Sequence, residues 1–356
     1  MREKDLVELA LGTADVQEIT PKIIAKTVDF VSRKKTVVAQ LFRENRDLEK
    51  VKARSIVLPN VTESITVESV SEGGSVSTSS TISYTGTTVE VSKFGIRLEI
   101  DNEALETPVR DVLKDFLYEA GRKLAEELDL RAQTIALDLK PGTITSWSGG
   151  TLGSTTLTPI ITISSVSPGA TINAVDYYDG KVLLSNSVSA ATVTFLYSNR
   201  CKSSGLVVDA SEKSKLTSWD LLKLRSTLLA ATVNPDIVIV NSNEITTLLY
   251  DPDVSTLFVN AKTYNKDLIN GEIGMIVDLK LVESPLVPEG VAIMIDSSRL
   301  GYHVIKRDVE AEEESKPAID RTWYHIWTER EFAVVDDNAI GIVVNAKAGS
   351  YRASEL

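Results

Sequence analysis

The sequence has few of the residues that catalytic and metal sites need. Of its 356 residues one is a cysteine, Cys201, and two are histidines, His303 and His325. A single thiol excludes an intramolecular disulfide and a zinc site built from several cysteines. The two histidines lack the spacing of a paired metal-ligand motif. We therefore predict no catalytic residue, no metal site and no cofactor, with Cys201 as an unreactive small side chain.

Long apolar runs are missing as well. No run approaches the roughly eighteen apolar residues of a membrane-spanning helix, and the start of the chain, Met1-Arg-Glu-Lys-Asp, does not have the pattern of a signal peptide. With 43% hydrophobic and 25% charged residues, the composition is that of a folded protein. The length favours two or three compact units. We expect a protein made in the cytoplasm with no membrane partner.

Positive charge is scarce overall and concentrated in one segment. The formal net charge is −12, so the surface as a whole does not attract phosphate. Residues 22–54 contain ten basic and four acidic residues, which makes this segment about +6 and the remainder about −18. The basic segment can contact nucleic acid or an acidic neighbouring subunit, and a solvated helix face is the alternative.

One long helix is predicted for Thr107 to Leu139. Apolar residues recur there every three or four positions, which is the spacing of one helical stripe. Thr107 and Pro108 suit the helix start, and Pro141 with Gly142 suits its end. A helix of this length extends about 50 Å. We predict that its core stripe includes Phe116, Leu117, Leu124 and Leu128.

Residues 54–96 predict a long two-stranded hairpin. Apolar residues alternate there with serine and threonine, and no lysine or arginine occurs from Ser55 to Ser92. The predicted tip is Glu72-Gly73-Gly74-Ser75. An isolated two-stranded ribbon is only marginally stable in water, so we expect a neighbouring molecule or domain to hold it. An ordinary hairpin inside a sheet is the alternative.

The rest of the chain alternates between strand-rich and mixed segments. Residues 141–209 are rich in serine, threonine, glycine and valine and predict a small all-β insertion with an exposed polar surface. Further on, a buried strand at Ile237–Val240 stands between two predicted helices, which indicates an α/β unit. Strands return at 301–307, 323–332 and 339–345.

Few groupings suggest chemistry. The stretch Gly149–Thr156 has the glycines of a phosphate loop but no lysine to contact phosphate. The pair Asp336-Asp337, and the acidic run that contains Glu310, Glu312, Glu313 and Glu314, could supply carboxylates, although carboxylates in a turn are usually solvated. A carboxylate-dependent hydrolase centred on Asp336 and a glycan-binding protein that uses the β insertion are remote alternatives.

The order of these segments resembles the Hong Kong 97 fold of major capsid proteins from tailed bacterial or archaeal viruses. The resemblance covers nearly the whole chain except the insertion. The residues that carry it are Glu72-Gly73-Gly74, Lys93 to Glu103, Asn234 to Asn241, Gly271 to Gly274, Val287 to Ile293, and Glu329-Arg330 ahead of Asp336.

The resemblance implies an α+β fold with five parts. These are an N-terminal arm (1–53), an extended loop (54–96), a peripheral domain (97–140 and 297–356) built on the long helix as a spine, the all-β insertion (141–209) and an axial domain (210–296). We expect the apolar stripe of the spine to be buried mainly against the chain's own terminal strands.

The resemblance also implies a structural protein and not an enzyme. Copies would self-assemble as hexamers and pentamers into the icosahedral head shell of a tailed virus or provirus, enclosing double-stranded DNA without sequence-specific binding. Assembly would take place in the host cytoplasm, and the mature location would be the virion capsid. A portal protein and, because only about twenty residues precede Pro21, a separate scaffold protein would be partners. The loop has no lysine for a crosslink, so contacts would be noncovalent. An encapsulin-like compartment shell is the nearest alternative.

Overall fold

The computed structural model describes most of the chain from Pro21 onward. The described residues are 21–64, 69, 81–101, 112–148, 151–167, 169–186, 191–210, 215–249, 258–260, 272–276, 278–316 and 320–346. Their α-helices are α1 (Pro21–Lys35), α2 (Val112–Leu137), α3 (Asn199–Ser204), α4 (Ser218–Ala230) and α5 (Ser242–Leu249). Short 3-10 helices occur at Ala39–Leu41, Asp47–Lys50 and Asp337–Ala339.

Strands outnumber helices in this part of the chain. In chain order they are β1 (Arg43–Asn45), β2 (Ser55–Ser64), β3 (Thr81–Glu90), β4 (Ser92–Asp101), β5 (Leu139–Ile144), β6 (Trp147–Ser148), β7 (Leu152–Ser154), β8 (Ile160–Val166), β9 (Ile172–Asp176), β10 (Lys181–Leu184), β11 (Val193–Ser198), β12 (Val207–Asp209), β13 (Ile237–Val240), β14 (Phe258–Asn260), β15 (Glu272–Ile276), β16 (Leu279–Glu283), β17 (Ala292–Ile295), β18 (Gly301–Lys316), β19 (Arg321–Val334) and β20 (Ile340–Val344). The fold is α+β, as predicted.

Helix α2 is the predicted spine helix. It ends at Leu137, because Asp138 adopts a left-handed conformation with φ of 46° and β5 starts directly after it. The predicted end at Leu139 was therefore two residues too late, and the predicted start at Thr107 lies outside the described residues. Leu117, Leu124 and Leu128 are buried.

Phe116 does not belong to this buried stripe, and its assignment to the core was wrong. Its side chain is 42% exposed. Successive residues of a helix are about 100° apart around the axis. Phe116 therefore lies beside the arc that Leu117, Leu124 and Leu128 share, at the border with the charged face.

The spine helix packs most extensively on the arm helix α1 and less on β19. The expectation that the terminal strands cover most of the stripe is thus wrong. Gly121 allows the close approach, because a Cβ atom there would lie 2.6 Å from the Cβ of Val31 and 3.1 Å from the carbonyl oxygen of Val28. The arm helix α1 buries its apolar face against the spine helix α2.

A four-stranded sheet lies on another side of the spine, in the order β1-β18-β19-β4. Strand β1 pairs with β18 in parallel, and β19 pairs antiparallel with both β18 and β4. Alternate residues of β19, including Tyr324, Ile326 and Thr328, are buried on one face. The opposite face is partly exposed.

A seven-stranded sheet forms the second large unit, in the order β12-β20-β17-β13-β16-β15-β14. Every residue of β13, β17 and β20 is buried, which explains their continuous apolar sequences. Two predicted domain limits need correction. The predicted limits place β12 in the insertion and β20 in the peripheral domain, yet both strands belong to this sheet.

The insertion consists of two small sheets, β5-β11-β8 and β6-β7-β10-β9. Its described residues form only strands and the turns between them up to Ser198, and α3 starts at Asn199. Its buried residues Ile160, Val182 and Phe195 join the main hydrophobic core. The Asn345 side chain accepts a hydrogen bond from the Tyr177 backbone N–H at 2.8 Å and donates to Asp176 at 3.1 Å. The insertion is therefore packed into the subunit and is not a detached surface module.

Candidate assembly site

Among the described residues, the hairpin of β2 and β3 forms a separate two-stranded sheet and packs on the rest of the subunit only through a small cluster at its base. Ten residue pairs run from Ser55 opposite Glu90 to Ser64 opposite Thr81. At its base, Leu58 and Val89 are buried in a small cluster with Leu48, Val91, Val304 and Ala333. Val57, on the other face, is 62% exposed. Within the described chain, β2 and β3 pair only with each other, so each presents one unpaired edge.

The predicted tip residues Glu72, Gly73, Gly74 and Ser75 lie outside the described residues. Their role at an intersubunit contact stays a prediction. The strands that lead to them are paired in register as far as Ser64 and Thr81. The period-two pattern of residues 54–96 thus predicted the strands correctly.

A buried arginine joins the arm to the sheet. Arg330, 2% exposed, donates hydrogen bonds to Asp29 Oδ1 at 2.9 Å and to Thr328 Oγ1 at 2.6 Å. Arg46 donates to both oxygens of Asp308, at 2.8 and 3.2 Å. Burial alone would raise the pKa of Asp308, but the hydrogen bond and charge of Arg46, together with the charges of Arg330 and Arg33, outweigh it and the pKa is lowered. The arm is thus part of the folded subunit.

Asp129 fixes the chain that follows the arm helix. Its carboxylate accepts hydrogen bonds from the backbone N–H groups of Val37 at 2.7 Å and Ala39 at 2.8 Å. Burial raises the pKa of Asp129 to about 6, although the two N–H donors act in the opposite direction. A carboxylate of the spine helix therefore anchors the segment between α1 and β1.

The partly exposed face of the four-stranded sheet carries a row of rings that we call the tryptophan ladder, Trp323, His325 and Trp327. The ring centroids of His325 and Trp327 are 5.4 Å apart and the rings are stacked. Lys93 Nζ lies 4.2 Å from the centroid of the Trp327 indole, and Arg97 Cζ lies 4.6 Å from that of Trp323. Cations over indole faces stabilise both partners. The ladder gives this face a surface of rings and cations.

The ladder was not predicted from the sequence. A signal was present, since Trp323, His325 and Trp327 occur at alternate positions of a predicted strand, and Lys93 and Arg97 are four residues apart in another. Alternation places each set on one face of a sheet. Alternation alone does not reveal that β4 and β19 are neighbours. Their pairing is seen only in the structure.

The residues considered for chemistry have structural partners. Asp336 pairs with Arg299 at 2.5 Å and Asp337 pairs with Arg200, so the two carboxylates are held by different arginines. Burial raises the pKa of the Cys201 thiol to about 11, which leaves it without thiolate character at neutral pH.

The two histidines and the glycine-rich stretch likewise have structural surroundings. His303 stacks on Phe332 with ring centroids 4.4 Å apart, and burial lowers its pKa to about 3. His325 Nε2 lies 3.1 Å from Glu314 Oε2. In the glycine-rich stretch, Leu152–Ser154 form β7. Strand structure at these residues differs from the loop that cradles a phosphate.

The described residues lack two further features. They contain no group of three or more histidine, cysteine, aspartate or glutamate residues arranged to hold a metal ion. None of their helices has the length and apolar character needed to cross a membrane.

Comparison with known proteins identifies the family. A sequence model of the family described as phage capsid protein matches residues 84–345, well over half of the chain. The chain belongs to this family of phage capsid proteins. The capsid protein has no match among curated proteins. The family is structural, and the protein is accordingly a major capsid protein and not an enzyme.

Solved structures show the same fold at low sequence identity. A chain from Microbacterium phage Oxtober96 is similar with a TM-score of 0.53 and 10% identity, covering 87% of the capsid protein and 91% of that chain. The Cyanophage Pam1 capsid asymmetric unit gives 0.52 and 12%, covering 86% and 88%. The holo-SrpI encapsulin complex from Synechococcus elongatus PCC 7942 gives 0.50 and 12%, covering 99% and 98%. The Hong Kong 97 fold predicted from the sequence is confirmed.

Proposed function

We propose that this capsid protein forms hexamers and pentamers that close into an icosahedral head shell around the double-stranded DNA of a tailed virus or provirus. The observation that supports this most directly is the β2–β3 hairpin. Its ten residue pairs stand as a separate two-stranded sheet with a small cluster at the base. Such a ribbon is marginal in water. A second copy of the chain can supply the missing support, with residues 54–96 lying over the adjacent subunit and Glu72–Ser75 at the tip.

The two large sheets correspond to the two domains of this proposal. The four-stranded sheet and the spine helix form the peripheral domain. The seven-stranded sheet, with β12 and β20 included, forms the axial domain around the symmetry axes of hexamers and pentamers. The insertion supports both, because its buried residues share the core that includes Leu137 and Ile342.

Other partners follow from the charge and the expected assembly. A shell subunit with a net charge of −12 holds DNA by enclosure and not by sequence-specific contacts. A separate scaffold protein guides assembly in the host cytoplasm, and a portal protein occupies one vertex.

Electron microscopy of the purified protein, alone and coexpressed with the products of neighbouring genes, tests the proposal. We expect closed shells with hexameric and pentameric units. A chain that stays monomeric under every assembly condition would contradict it. Size-exclusion chromatography coupled to light scattering on the same samples separates true monomers from irregular aggregates.

An encapsulin-like compartment is the second candidate, because the similarity to the encapsulin complex covers 99% of the chain. The two candidates differ in contents. Nuclease-resistant DNA inside purified particles supports the virus shell, whereas a protein cargo without DNA supports the compartment.

A further inference from the structure

Two acidic side chains of the arm, Asp29 and Glu44, are engaged with arginines inside the subunit. Asp29 pairs with Arg33 at 2.8 Å and with Arg330 at 2.9 Å. Glu44 lies 3.5 Å from Arg33 and 3.4 Å from Arg46. Asp29 of α1 and Glu44 of β1 are thus paired with arginines and not with the lysines of α1.

Three lysines of α1 point away from the core. Lys22, Lys26 and Lys34, which we call the lysine stripe, are exposed, and none has an ion pair with a described residue. Their spacing of four and eight residues keeps them within about a third of the helix circumference and spreads them over about 18 Å. Phe30 lies between them, 40% exposed, with Lys34 Nζ 6.0 Å from its ring centroid.

The backbone under the lysine stripe is held firmly. Ile24 and Val28 on the opposite face are buried in the main core, and Val31 is buried beside them. Gly121 of the spine helix approaches Val31 closely. The lysines therefore project from a fixed helix and not from a loop, so a partner does not have to order the backbone on binding.

We propose that the lysine stripe contacts the phosphates of the enclosed double-stranded DNA, so that the α1 side of the subunit is the inner face of the shell. This rests on the proposed function. Duplex DNA carries one charge per about 1.7 Å of its axis, so a row of about 18 Å meets several phosphates whatever the sequence. Lysine acts on phosphate as a point charge. The remainder of the chain, about −18, repels DNA, which makes this face the electrostatically favoured one.

Fluorescence anisotropy of a mixed-sequence 40-base-pair duplex tests the inference on full-length unassembled protein between about 20 and 200 mM NaCl. The test variant combines Lys22→Gln, Lys26→Gln and Lys34→Gln. A control variant removes three exposed lysines elsewhere, Lys140→Gln, Lys202→Gln and Lys223→Gln, so that both have the same net charge. Each phosphate contact adds about 0.9 to the slope of log affinity against log salt. We expect the test variant to lose two to three units of slope and the control less than one.

Equal losses in the two variants, or a wild-type protein that does not bind the duplex at 20 mM NaCl, would overturn the inference. It would also be overturned if the test variant bound DNA normally but lost assembly, because the lysine stripe would then contact an acidic protein surface. Electron microscopy of the same proteins distinguishes a failure of this inference from a failure of the proposed function. If shells form but DNA binding is unchanged, only the inference fails. If the wild type forms no shells, the proposed function fails first.

Discussion

Phe116 and Leu124 lie on the same helix, and only Leu124 is part of the core. Leu124 is 4% exposed and Phe116 is 42% exposed. We expect Leu124→Ser to lower the free energy of unfolding by about 3–5 kcal/mol, through the lost burial and the cavity. Phe116→Ser should cost about 1 kcal/mol or less. Urea unfolding of unassembled subunits measures both. Equal losses would contradict this account of the spine.

The exposed position of Phe116 suits a contact between subunits. The melting temperature of Phe116→Ser is the control for folding, because the fold of this variant is expected to be intact. A normal melting temperature together with reduced assembly would assign the phenylalanine to a contact between subunits.

Asp129 should make stability depend on pH in a particular direction. Its pKa is raised from 3.8 to about 6, so the folded state binds the proton more readily than the unfolded state. The contribution is fully present below about pH 4 and is lost as the pH rises through about 6, up to about 3 kcal/mol. Asp129→Asn has no such titration. We expect the advantage of the wild type over this variant to shrink between pH 4 and pH 7.

Urea unfolding of both proteins at several pH values measures that difference directly. Other titrating groups are common to the two proteins and cancel in the subtraction. A difference that stays constant from pH 4 to pH 7 would mean that Asp129 keeps an ordinary pKa in the folded subunit.

At the scale of elements, the hairpin should be dispensable for folding and essential for assembly. We expect a variant in which Asn-Gly replaces residues 59–86, joining the paired residues Leu58 and Thr87, to melt within a few degrees of the wild type. An Asn-Gly turn closes a two-residue hairpin, and the buried base with Leu58 and Val89 is kept. Light scattering under assembly conditions should show no shells. Normal shells would contradict the proposed role of the hairpin in assembly.

The insertion should behave in the opposite way. Because Ile160, Val182 and Phe195 are buried in the main core, we expect removal of residues 142–202 to destabilise the subunit and leave little soluble protein. Circular dichroism of the purified variant checks this. A well-folded deletion protein would mean that the insertion is a separate decoration.

Local patterns predicted most elements but not their partners. Period-two alternation predicted β2 and β3, and the three-and-four spacing predicted α2. The five residues of β20 are apolar and buried throughout, a pattern that suits any central strand. The sequence of β20 alone does not reveal that β12 and β17 are its neighbours in the sheet. Pairing between distant segments depends on the whole core, and the domain limits at 209 and 297–356 were therefore wrong at β12 and β20.

The candidate site was predictable to a lesser degree. The hairpin strands were found, whereas the tryptophan ladder and the partners of Asp129 were not. Val37 and Ala39 donate main-chain N–H groups to Asp129 across about ninety residues of sequence. Main-chain donors carry no residue-type signal. Phe116 was misplaced because the border of an amphipathic stripe is defined by its neighbours and not by hydrophobicity alone.

At the scale of the whole molecule, the charge of −12 should oppose assembly at low salt. Like-charged subunits repel over about 10 Å at 0.1 M salt and over about 3 Å at 1 M. We expect the concentration needed for shell formation to fall several-fold between 0.05 and 0.5 M NaCl, as measured by light scattering. Sucrose at matched osmolality is the control. Weaker assembly at high salt would indicate interfaces dominated by ion pairs.

The position of the last described strands affects how the protein is made. Strand β20 lies between β12 and β17, and β19 joins β4 to β18. Neither large sheet can close until the ribosome has translated past residue 330, and at 5–20 residues per second this takes tens of seconds. We therefore expect that nascent chains on one polysome cannot assemble with each other. We expect shell growth to start only from chains that have completed both sheets, which separates the timing of synthesis from that of nucleation.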